Sequence, residues 1–170
     1  KISEDLSPTR NITGFHLKVV SAIAIIWSLF QLWYASPFPF MLNIGMFKGL
    51  PARAIHLGFA LTLAFLIYPV AKGKKISFFD IIISFVGAFS CLYIYFFYDQ
   101  LVERGGVLLS LKITDTFNFP VELILGGCGI LILLEATRRA IGLPLVIIAT
   151  CFLLFSYFGR YAPEIISHGG

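Results

Sequence analysis

The chain has 170 residues, of which 58% are hydrophobic and 13% charged, with a mean hydropathy of +0.90. A soluble domain carries about 25% charged residues, and so few polar groups cannot cover this much apolar surface in water, which leaves lipid as the solvent for much of it. The net charge of +4 does not point to nucleic acid, because the basic residues lie between apolar runs and not on one solvated face.

Five apolar runs approach the roughly 20 residues that a helix needs to cross a bilayer. The N-terminal stretch is mixed in charge and the first run is long enough to stay in the membrane, so no cleavable signal peptide is expected. That first run, Leu17 to Ala35, stops at Ser36-Pro37-Phe38-Pro39. From Ser36 to Pro51 the chain stays apolar but is broken by Pro37, Pro39, Gly45, Gly49 and Pro51. This predicts a segment lying along the membrane surface or dipping into it, anchored by Trp33, Tyr34 and Phe38. The second run, Ala54 to Ala71, opens after Arg53 and ends around Pro69 and Gly73. The third, Ile81 to Tyr98, starts behind Asp80, where the helix dipole favours a carboxylate cap.

Asp99 to Phe119 is the longest polar segment, with a turn at Gly105-Gly106 and a short amphipathic or extended piece expected over Val107 to Lys112. The fourth run, Val121 to Leu134, is short unless Ala136 and its neighbours extend it; Pro120 suits its first turn. The fifth is Ile141 to Phe158, with Pro144 in its first turn. No sustained alternation of apolar and polar residues predicts strands. All five runs are expected to be helices, since bare backbone polar groups cannot face hydrocarbon. The predicted fold is all-α: a polytopic transmembrane bundle of about five membrane helices.

Basic residues in short loops set the orientation. With a cytoplasmic N-terminus, the inner side holds Lys1, Arg10, Lys18, Lys72, Lys74, Lys75, Arg138 and Arg139, and the outer side Lys48, Arg53, Arg104, Lys112 and Arg160. Lys72-Gly73-Lys74-Lys75 carries no acid, whereas Asp99 to Asp115 mixes signs. The predicted topology is N-terminus in and C-terminus out.

Few residues are equipped for chemistry. His56 lies one turn into the second run, three after Arg53. It reads either as a functional intramembrane group or as an interfacial side chain bonded to a carbonyl or lipid phosphate. Glu135 precedes Arg138 by three and Arg139 by four, so a helix brings both arginines to the carboxylate. The trio is either a lock between subunits or domains at the cytoplasmic rim or a plain interfacial ion pair. Small residues recur at contact spacing: Gly58 and Thr62, Ala60 and Ala64, Ser84 and Ala88, Gly87 and Cys91, with Gly126, Gly127 and Gly129 in the fourth run. Close helix packing is the expected role. Cys91, Cys128 and Cys151 lack CxxC spacing and read as small core residues. There is no P-loop, HExxH or GxSxG, and no run holds paired carboxylates or a set of Asn, Ser and Thr fit for sodium.

Several stretches together carry a family resemblance: Trp27-Ser28-Leu29-Phe30-Gln31-Leu32, Arg53 to Ala60 with Tyr68-Pro69, Leu134 to Pro144, and Tyr157-Phe158-Gly159 followed by Pro163 and His168-Gly169. With these motifs the chain resembles the N-terminal, small-subunit-like portion of the fused permease of TRAP (tripartite ATP-independent periplasmic) transporters of the TAXI subclass. The resemblance implies import of organic acids across the bacterial inner membrane, driven by a cation gradient, usually sodium, with a periplasmic TAXI-type solute-binding protein delivering the solute. It implies a four-helix scaffold domain over 1–140 that braces a large transmembrane transport domain. Residues 141–170 would connect to that domain or begin it. The sodium and solute sites would lie outside this segment, so no catalytic, substrate or metal residue is assigned and no cofactor is expected. Candidate interface or anchoring residues are Trp33, Arg53, His56, Asp99, Glu103, Arg104, Glu135, Arg138 and Arg139. The alternative is a stand-alone multispan scaffold or adaptor without transport activity. An enzyme built on His56 is the weakest reading, because no partner acid, nucleophile or metal set accompanies it.

Overall fold

A computed structural model describes residues 9–10, 12–47, 49–70, 76–103, 110–114 and 117–161. Seven helices carry nearly all of the regular structure: α1 (Gly14–Ala35), α2 (Phe38–Leu42), α3 (Gly49–Ile67), α4 (Phe78–Phe96), α5 (Tyr98–Glu103), α6 (Val121–Ala140) and α7 (Leu143–Phe158). A short antiparallel ribbon, β1 (Ser110–Thr114) with β2 (Phe117–Pro120), precedes α6. Ser110 pairs with Pro120 and Lys112 with Asn118, and the register shifts between Lys112 and Thr114.

Local chemistry explains the helix ends. α3 starts five residues ahead of the expected Ala54, because Pro51 sits in its first turn, where a missing N–H costs nothing. It stops at Ile67, since Tyr68 precedes Pro69 and is pushed out of the helical region. Ser77 caps α4 reciprocally: Phe79 N–H donates to Ser77 Oγ at 3.3 Å, and Ser77 N–H donates to Asp80 Oδ2 at 3.3 Å. The fourth helix is longer than its apolar run and continues through Glu135 to Ala140. Pro120 closes β2 and does not open α6, contrary to the expectation from sequence; the ribbon takes the place of the helical first turn. Gly142 joins α6 to α7 at φ +120°, which residues with a Cβ rarely adopt.

Three helices, α1, α3 and α4, are long and apolar enough to cross a membrane. α7, at 16 residues, is apolar but shorter. α3 and α4 form the largest helix pair, with α6 laid across both and α1 against α3. Two apolar clusters fill the bundle. Leu61, Phe65, Cys91 and Ala136 form one, and Val20, Leu63 and Leu66 the other. Gly58, Ser84, Gly87 and Cys91 are all buried, as their small-residue spacing predicts. A Cβ on Gly87 would meet Ile132 Cγ2 at 3.0 Å, so α3, α4 and α6 converge there. Gly126 and Gly127 instead face open space, and only Gly129 of that cluster reaches α4, beside Ser90.

The exterior is apolar. Phe15, Phe40, Phe78 and Phe85 are each more than 70% exposed, and no residue of α7 is buried. A surface of this kind belongs in hydrocarbon or under a partner.

Candidate functional site

The densest polar arrangement lies where α3 ends, α4 begins and α6 ends. The last carbonyls of α3 have no intrahelical donors. Arg10 supplies them from outside: its backbone N–H donates to Ile67 O at 2.8 Å and its Nη1 to Leu66 O at 3.2 Å. A cation at a helix C-terminus is also favoured by the dipole. The same guanidinium donates from Nη2 to Asp80 Oδ2 at 2.6 Å. Asp80 therefore caps α4 and pairs with a residue 70 positions away.

Arg139, in the last turn of α6, completes the bridge. Its Nη1 donates to Asp80 Oδ1 at 2.7 Å, and its Nε to Glu135 Oε1 at 2.7 Å. Glu135 also takes two bonds from Arg138, at 2.7 and 2.8 Å. The result is a chain of alternating charge, Arg10–Asp80–Arg139–Glu135–Arg138. Its first three members are secluded, with the Arg10, Asp80 and Arg139 side chains 3%, 4% and 2% exposed. Arg138 remains 39% exposed. The Arg139 guanidinium lies 4.8 Å from the ring centre of Phe65, which is fully buried. Burying ions is costly unless each is paired and hydrogen-bonded; one carboxylate here serves two guanidiniums and a backbone N–H.

A second polar group sits toward the opposite end of α3. Trp27 Nε1 donates to His56 Nδ1 at 3.3 Å, with the two rings 4.9 Å apart and edge-on, and Gln31 Nε2 lies 3.3 Å from the same nitrogen. His56 is exposed. Further along, Tyr93 OH donates to Glu122 Oε1 at 3.2 Å, linking α4 to α6.

The sequence candidates separate accordingly. Glu135, Arg138 and Arg139 come together as their spacing predicts, and Arg139 extends the trio to Asp80. Arg53 and His56 share one side of α3, both exposed. Trp33 lies in the last turn of α1, where its carbonyl accepts from Ser36 Oγ at 2.8 Å, and Gly45 folds back over its indole. Asp99 and Glu103 are exposed on α5. Arg104 and the Lys72–Lys75 loop lie outside the described residues. Arg10 was legible only as one basic charge among many, and Asp80 only as a cap. The available signal was a lone acid opening an otherwise uncharged run. No protein-family model, curated protein or solved structure matches the chain.

Proposed function

We propose that this chain is the stationary membrane scaffold of a secondary transporter of the TRAP type, TAXI subclass. The observation that carries the reading is the buried charge chain, in which Asp80 ties the segment before α1 and the ends of α3 and α6 to the start of α4. A brace for a moving transport domain must resist shear between its own helices. Buried, hydrogen-bonded ion pairs are well suited to holding one register, because sliding would strand a charge in a low-dielectric setting.

On this reading α6 and α7 are further crossings beside α1, α3 and α4, giving five. The N-terminus is cytoplasmic, in the bacterial inner membrane. The charge chain then lies at the cytoplasmic rim, and α5 with the ribbon faces the periplasm, where the solute-binding protein docks. The apolar faces of α1 and α7 meet lipid and the large transport domain. The solute is an organic acid and the coupling ion is sodium, both bound by the large domain.

The test is reconstitution of the scaffold with its transport domain in proteoliposomes, with the periplasmic binding protein outside. The expected result is uptake of small organic acids that requires both an inward sodium gradient and the binding protein. Uptake indifferent to both, or its complete absence with every component folded, would refute the reading.

A further inference from the structure

An open groove runs along α3 between α1 and α6. Leu57, Leu61 and Ala64 form its floor, Trp27 one wall, and Leu133 and Thr137 the other; its volume is about 370 Å³. From Leu57 to Ile67 it follows α3 for about 15 Å at 1.5 Å per residue. Its apolar lining suits a hydrocarbon chain lying along α3.

One end of the groove is polar. Arg53 and His56, three residues apart on α3, are both exposed there, one turn above Leu57 and Ala60. Arg53 forms no ion pair with any described residue. The bonding of His56 fixes its tautomer. An indole N–H can only donate, so Nδ1, which receives the Trp27 bond, is the acceptor. The proton of the neutral ring then sits on Nε2. Among the described residues nothing accepts from Nε2–H. In lipid a donor left without an acceptor is costly. Trp27 belongs to both halves of the arrangement, donating to His56 and walling the groove.

We propose that this is a binding site for one glycerophospholipid. The phosphate pairs with Arg53, an ester or phosphate oxygen accepts from His56 Nε2–H, and one acyl chain lies along α3 past Trp27. The site rests on the membrane placement of α1 and α3 and not on transport, so an uptake assay does not bear on it.

The chain has two tryptophans, and Trp33→Phe leaves Trp27 as the only reporter. The purified chain in detergent micelles is titrated with phosphatidylglycerol carrying dibrominated acyl chains, which quench indole fluorescence on contact. Saturable quenching is expected. Arg53→Gln, which leaves the Trp27–His56 bond in place, should raise the half-quenching concentration about tenfold, as loss of a charge-assisted bond implies. A brominated fatty alcohol, which has no phosphate, should quench without saturating and without sensitivity to Arg53. Inorganic phosphate at millimolar concentration should not displace the lipid. Unchanged quenching in Arg53→Gln would overturn the proposal, as would full displacement by inorganic phosphate. So would Trp27 shielded from all brominated lipid while the chain runs as a dimer, since a second copy would then cover the face. Native mass spectrometry of the unsubstituted chain gives an independent readout: one retained phospholipid is expected, and none would count against the site.

Discussion

Asp80 is the shared anion of the buried charge chain, and its removal should cost more than removal of either arginine. Breaking a buried pair from one side costs about 3–5 kcal/mol, because the surviving charge stays buried without its partner. Asp80→Ala strands two guanidiniums that are 3% and 2% exposed and also deletes half of the α4 capping box, itself worth about 1 kcal/mol. We expect a loss near the top of that range, about 5 kcal/mol. Asp80→Asn keeps a side-chain acceptor and should lose about 3 kcal/mol. Arg139→Gln and Arg10→Gln each leave Asp80 with one cation, so each should fall below Asp80→Ala. Arg138, 39% exposed, should cost under about 1 kcal/mol when changed to Gln. The assay is reversible denaturation in mixed lipid–detergent micelles followed by tryptophan fluorescence, with the Asp80→Asn/Arg139→Gln double variant closing a cycle. The expected order is Asp80→Ala, then Arg139→Gln and Arg10→Gln, then Arg138→Gln. If Asp80→Asn and Arg138→Gln cost the same, the buried chain does not hold the bundle and the reasoning fails.

Other consequences are as direct. Phe65→Ala should cost about 3–5 kcal/mol in the same assay, since it empties the fully buried centre of the core and removes the ring beside Arg139. Gly87→Ala should cost about 1–2 kcal/mol, because its new methyl meets Ile132 at 3.0 Å; adding Ile132→Val should recover part of that loss. Single cysteines at Lys74 and Asp99, each in a background lacking the three native cysteines, should differ in intact cells, with only the residue-99 thiol reacting with an impermeant maleimide; the reverse pattern would invert the proposed topology. On the proposed reading, replacing Asp99, Glu103 and Arg104 together should lower affinity for a periplasmic binding protein, measured by surface binding to the reconstituted complex, and unchanged affinity would free that loop of any docking role.

Local readings of the sequence succeeded where one short stretch held all the information. Glu135-Ala136-Thr137-Arg138-Arg139 closes its own ion pairs as soon as a helix forms. Pro144 falls in the first turn of α7, and Gly58 and Gly87 are buried at helical contact spacing. Reading went astray where a neighbour in space or a competing local structure decided. Val121 to Leu134 is short for a crossing unless Ala136 and its neighbours extend it, and α6 does continue through them; that its charges end beside Asp80 was not legible. Pro120 was claimed by a ribbon whose strands, five and four residues long, alternate over too few positions to stand out in the sequence.

Composition and run length alone were enough to place this polypeptide among lipid-solvated helical proteins, because hydration of apolar surface and the need to satisfy backbone groups act on every residue independently of partners. Which charges meet was decided only in three dimensions. Arg10, Asp80 and Arg139 are separated by 70 and 59 residues, and no local rule links them. Only the packing of α3, α4 and α6 carries all three to one buried point, where Coulomb attraction at low dielectric makes their pairing obligatory.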